Sequence, residues 1–206
     1  YRRQRQMCIR DRFIASPEFP IIFLPFLILY WTLPARPAFQ KVLLLLLGYF
    51  IYFSLSPWYA LSIFAYTFFV WITAALISKS NFVFRRNVLF VLGVVGSLSF
   101  LGFFKYYNFI GQQLEVSIRM LGLQWAVPMV DVILPLGISF YVFQAISYLH
   151  SIRYQNQSAA SLLNLGLYLC FLPTLLAGPI CRPGELLPQL ESTAPRVIYP
   201  PEPILL

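Results

Sequence analysis

Charge is what this 206-residue sequence has least of. Asp, Glu, Lys and Arg together make up 11% of it, where soluble domains average about 25%. A soluble fold of this size must cover its outside with polar groups, and here there are too few to do so. Histidine occurs once, at His150, and cysteine three times, at Cys8, Cys170 and Cys181. These form no spaced ligand set, which excludes a zinc motif or a disulfide framework and leaves no candidate metal ligands. A soluble domain boundary and an internal repeat are also missing.

What is present is apolar. Hydrophobic residues make up 59% of the chain and aromatics 18%. A membrane crossing takes about 20 apolar residues to span about 30 Å of hydrocarbon. Val42–Ser78 runs for 37 residues and Tyr154–Cys181 for 28 without an Asp, Glu, Lys, Arg or His. The expected fold class is therefore all-α, a polytopic transmembrane helical bundle of about six hydrophobic segments. They fall at about 13–33, 39–55, 58–77, 87–104, 132–149 and 162–180. Ser56-Pro57 reads as a tight turn between the second and third, because a residue before proline is pushed out of the helical region. Two segments are broken by proline and glycine: the fifth at Pro135 and Gly137, the sixth at Pro173 and Gly178-Pro179. Broken backbone at membrane depth is tolerated only when buried in protein or lining a watery cavity, so a cavity is expected around them. The mixed stretch Lys105–Asp131 carries Ile110, Leu114, Ile118 and Leu121 at helical spacing, which suits a helix lying in the interface. From Arg182 onward the prolines predict a loop.

The net charge is +8, but its distribution speaks against a nucleic-acid partner. Residues 1–12 (YRRQRQMCIRDR) hold a net +4, half of the excess, in a polar tail that stops at Phe13. The tail resembles the translated read-through of a sequencing adaptor; the alternative is a basic cytoplasmic tail. The chain then divides into three regions: 1–12 as a non-native tail, 13–181 as the helical membrane region, and 182–206 as a proline-rich loop and truncated end. If all six segments cross, one face holds Arg36, Lys41, Lys79, Arg85, Arg86 and Arg153, a net +6. The other face holds Lys105, Arg119, Arg182 and Arg196 against Glu115, Asp131, Glu185, Glu191 and Glu202, a net −1. The basic face should be cytoplasmic. Beside Arg153 and with no carboxylate within four residues, His150 reads as an interfacial histidine rather than a general base.

Three motifs carry a resemblance. Lys105-Tyr106-Tyr107-Asn108-Phe109 is similar to the F-K-Y-x-N-F motif of the membrane-bound O-acyltransferases, in the branch that includes alginate O-acetylases and the D-alanyl transferase of teichoic acids. Leu134-Pro135-Leu136-Gly137-Ile138-Ser139-Phe140-Tyr141 and Phe143-Gln144-Ala145-Ile146-Ser147-Tyr148 resemble that branch's L-P-x-G-I-S-F-Y-x-F-x-x-I-S-Y signature. Phe171-Leu172-Pro173 through Ala177-Gly178-Pro179-Ile180 and Arg182 resemble its F-x-P-x-x-x-x-G-P-I-x-R element. One departure is Ser151, which stands where the branch often has Asp.

The resemblance implies an O-acyltransferase of a bacterial inner membrane that O-acetylates an extracytoplasmic polysaccharide such as alginate. The donor would be a substrate, acetyl-CoA or an acyl-carrier thioester, with no bound cofactor. The implied partners are the lipid bilayer, the polysaccharide and an acetylation protein outside the membrane. Lys105, Tyr106, Asn108, Gln144, Tyr148, Pro179 and Arg182 are implied as funnel-wall or motif residues. The family's catalytic histidine lies in a W-x-x-x-H-I-S type context that this sequence does not contain. The chain therefore resembles the front part of such an enzyme, and residues 1–206 alone are expected to be inactive. The rival readings are a transporter or channel, which would bring inverted repeats and intramembrane charges, and a non-catalytic membrane scaffold.

Overall fold

The computed structural model describes residues 24–26, 28–30, 37–120, 137–155, 157–171 and 182–191. Among the described residues the only regular structure is helical. Six helices are numbered here in chain order: α1 (Pro37–Leu55), α2 (Pro57–Lys79), α3 (Val83–Met120), α4 (Ile138–Tyr154), α5 (Leu162–Leu169) and α6 (Pro183–Glu191). The chain divides into two compact units, Tyr1–Leu43 with Thr193–Leu206, and Leu44–Ser192. In the first, residues 24–26 and 28–30 are helical and Phe26 stacks on Tyr30 at 6.1 Å. The tail 1–12, Pro135, Pro173, Gly178-Pro179 and the prolines beyond residue 191 lie outside the described residues.

The second unit holds the core. Ser56 is extended (φ −172°, ψ 138°) and Pro57 opens α2, where its missing N–H costs nothing and its fixed φ suits a first turn. The chain reverses there, and Tyr49 of α1 meets Phe64 of α2 edge-on at 6.2 Å. Lys79 sits in the last turn of α2, where a cation complements the negative helix end. Ile63, Tyr66, Thr67, Val70, Thr73, Ala74 and Ile77 form its buried face, at the three-and-four spacing of one helix side. The buried residues of α4 include Tyr141, Ala145, Tyr148, Leu149 and Ile152.

Glycine lets α3 lie close to both. A Cβ at Gly93 would stand 2.8 Å from Leu149 Cδ1 and 2.9 Å from Thr73 Cγ2, and one at Gly96 2.6 Å from Phe69 Cζ. Ser97, fully buried beside them, donates to the Gly93 carbonyl at 2.7 Å. Small residues at such a seam are how helices gain contact where no hydrophobic force acts between them. The outer side of α3 is apolar and open, with Val91, Leu92, Val95, Leu98 and Phe103 exposed. Pro57–Lys79 and Val83–Tyr107 are each long and apolar enough to cross a bilayer. With so many large apolar side chains outward, the molecule is a membrane protein.

Three expectations change. The interfacial helix separate from the fourth segment is absent: α3 continues unbroken through Lys105 to Met120. A rise in polarity at Lys105 changes the surroundings of a helix, not its backbone, and no proline interrupts the stretch. The proposed loop after Arg182 is helical over Pro183–Glu191. Pro183 takes the first position, where proline is tolerated, and Leu187 is buried.

The third change concerns topology. The described part of the sixth segment is α5, which runs for 8 residues and is capped at Cys170, about 12 Å at 1.5 Å per residue. Beyond it, α6 packs against both α4 and α5. A Cβ on Gly184 would lie 2.9 Å from Gln157 Nε2, in the connection between α4 and α5. Residues 157 and 184 are therefore at the same end of the bundle, not on opposite faces. Arg86 marks that end too: its Nη2 donates to the carbonyls of Ile152 (3.1 Å) and Arg153 (3.4 Å), while Arg153 Nε donates to Asn87 Oδ1 at 2.8 Å.

Candidate functional site

Gly137 opens α4 with φ 72°, a left-handed conformation that glycine adopts without the Cβ penalty. Of the sequence break at residues 135–137, the described part, Gly137, stands at the start of α4. From it, α4 presents Tyr141, Gln144 and Tyr148 within about 60° of one another at 100° per residue, and all three are buried.

Two of these tyrosines tie down α5. At its base, Tyr148 Oη accepts from the Ala160 N–H at 2.9 Å. At its far end, Tyr141 Oη lies 3.5 Å from Cys170 Sγ. Tyr141 also hydrogen-bonds Thr67 Oγ1 of α2, which Tyr49 Oη of α1 reaches at 3.3 Å. Thr67 donates its own hydrogen to the Ile63 carbonyl at 2.7 Å. With that proton on the Ile63 carbonyl, the Thr67 oxygen is left to accept from the two tyrosine hydroxyls, and the Cys170 thiol lies within reach of Tyr141. Four elements thus meet in a closed polar network inside an apolar bundle. Gly48 permits the approach, since a Cβ there would be 3.2 Å from both Cys170 Cβ and its carbonyl oxygen.

The sequence-derived residues are not all brought together. Gln144 and Tyr148 share the buried face of α4. Lys105 and Tyr106 are exposed on α3, the Lys105 ammonium 5.4 Å from the Tyr106 ring centre. Arg182 is exposed just before α6. Asn108 belongs to α3, but its side chain and Pro179 lie outside the described residues. His150, about 180° around α4 from Tyr141 by helical geometry, packs against Phe90 and Tyr154 on the exposed side. Sequence reasoning missed Tyr49, Thr67 and Cys170, whose only signal was a polar atom within an apolar run. Among the described residues no cluster of His, Cys, Asp or Glu could hold a metal ion.

Known proteins agree with the motifs. The probable alginate O-acetylase AlgI of Azotobacter vinelandii is 34% identical over 184 residues, covering 86% of this chain and 36% of the relative. Its namesake in Pseudomonas aeruginosa is 33% identical, covering 86% and 34%. The peptidoglycan O-acetyltransferase of Helicobacter pylori is 28% identical, covering 86% and 38%. The chain thus spans little more than a third of the length of the curated relatives it matches. No family model and no solved structure matches it. Over most of its length the chain is thus similar to several alginate O-acetylases, the branch of the membrane-bound O-acyltransferases that its three motifs resemble.

Proposed function

We propose that the protein to which this chain belongs is an O-acyltransferase that acetylates a hydroxyl of an extracytoplasmic polysaccharide, with an acetyl thioester (acetyl-CoA or an acyl-carrier thioester) as donor. The observation that carries this reading is the set of relatives named O-acetylases and O-acetyltransferases that align with 86% of the chain. The protein sits as a multi-pass protein in a bacterial inner membrane. The end bearing Lys79, Arg85, Arg86 and Arg153 faces the cytoplasm, by the rule that basic residues stay inside. The partners are the bilayer, the polysaccharide and an acetylation protein outside the membrane. Gln144 and Tyr148 serve as wall of the transfer site, with Lys105, Tyr106, Asn108, Pro179 and Arg182 as further motif positions. The transfer needs a positioned base to take the hydroxyl proton, worth about 10²–10⁴-fold. His150, on the wrong side of α4, is not that base.

The test is the acetyl content of surface polysaccharide in a host deleted for its own O-acetylase. Expressing the complete open reading frame that encodes these residues restores ester-linked acetate. Expression in the membrane with no acetate on the polymer rejects the reading.

A further inference from the structure

The bonds of Tyr141 and Tyr148 leave an unfinished place between them. Gln144 is one turn from each and faces the same side, yet its Oε1 is buried and hydrogen-bonded to nothing, with the residue 1% exposed. Bundles do not keep such an atom cheaply: a buried acceptor without a donor bears its full desolvation penalty. Gln144 is about 9 Å along the helix from Ile138 and about 15 Å from Tyr154, well inside α4.

The vacant atom is an acceptor, so what completes it must bring an O–H or N–H. The reacting end of an acyl thioester offers carbonyl oxygen and sulfur, which are acceptors. A hydroxyl awaiting acylation offers a hydrogen. We propose that Gln144 Oε1 is a hydrogen-bond acceptor for a hydroxyl of the polysaccharide, binding that substrate rather than the donor. Tyr141 and Tyr148 hold α5 against α4 on either side of it. This inference rests on the acyltransferase reading and refines it to one substrate and one atom.

The experiment is thermal unfolding of the full-length protein in lipid nanodiscs, with and without millimolar deacetylated alginate oligosaccharide. A ligand that binds only the folded state raises the midpoint. The variants are Gln144→Met, which keeps length and volume while removing both polar atoms, Gln144→Leu as a second apolar choice, and Tyr66→Phe. Tyr66 is the control because it too is a buried polar side chain, yet it stacks on Phe100 at 4.4 Å, on the α3 side. The wild type and Tyr66→Phe are expected to gain stability with oligosaccharide. At least one Gln144 variant melts no lower than the wild type and loses that gain, its oligosaccharide affinity falling about tenfold or more. The inference is overturned if the wild type shows no gain, if the Gln144 variants retain it, or if both melt below the wild type, which would make Gln144 structural. Transfer activity is measured separately, so failure of the acyltransferase reading is distinguishable from failure of this one.

Discussion

At the scale of single residues, Tyr141 joins Thr67 of α2 to Cys170 at the end of α5, and its removal has a readable cost. Tyr141→Phe keeps the ring against Tyr66, 5.9 Å away, but deletes the donor to Thr67 and the contact with Cys170. Side-chain hydrogen bonds in membrane bundles average about 0.6 kcal/mol. A loss of about 1 kcal/mol is therefore expected in a denaturant titration of the purified protein. His150→Ala is expected to leave polysaccharide acetylation within about twofold, because the ring packs on the exposed side of α4; a loss of more than about 100-fold, within the range of a general base, would make His150 the base. Gly93 of α3 is hemmed in from two helices at once. Gly93→Val must displace both Leu149 and Thr73, and overpacking of this kind costs about 1–3 kcal/mol, measured the same way. Part of this was legible in the sequence: Gln144 and Tyr148 lie in a motif, and both are buried. The hydrogen-bonded set was not. Thr67 and Cys170 are 103 positions apart, and only the fold makes them share Tyr141.

At the scale of elements, α1 and α2 are legible in the sequence because a charge-free run punctuated by Ser56-Pro57 leaves the chain few alternatives. The length of α3 is not, because the change in polarity at Lys105 suggests a boundary where the backbone has none. Nor is α5: an apolar run shows that residues suit the membrane, not whether they cross it. In α6, prolines suggest a loop, but Pro183 occupies the first turn and the buried Leu187 anchors the helix. The placement of α6 is testable. Single cysteines at Ser80, Gln157 and Glu185 in an otherwise cysteine-free protein are expected to share one pattern with an impermeant maleimide added to intact cells. With the basic end inside, all three are protected until the membrane is opened. Rapid labelling at 185 with protection at 80 and 157 would restore the six-crossing arrangement.

At the scale of the whole second unit, stability comes from seams rather than from an oily interior set against water. Lipid is as apolar as leucine, so helices gain by fitting closely and by pairing polar groups. The Gly93 and Gly96 approach supplies the fit, and the network around Thr67 supplies the pairing. At the basic end, Arg86 ties the start of α3 to the last carbonyls of α4. Arg86→Ala is expected to raise hydrogen exchange of the α4 C-terminal turn while the amides around Tyr141 stay protected. Uniform loss of protection along α4 would mean that the arginine holds the whole pair together.

The nearness of Gly184 to Gln157 has a consequence for how sidedness is counted. Topology maps assign inside and outside by parity, each apolar run switching the sign. Residue 157, before α5, and residue 184, in α6, lie at one end of the bundle, so no switch of side is counted between them. A map that scores the run from Leu162 as one crossing puts residues 157 and 184 on opposite sides, where the structure has them together. Reporter fusions made just before α5 and just after α6 should therefore give the same signal, and a hydropathy plot alone would have called that result an error.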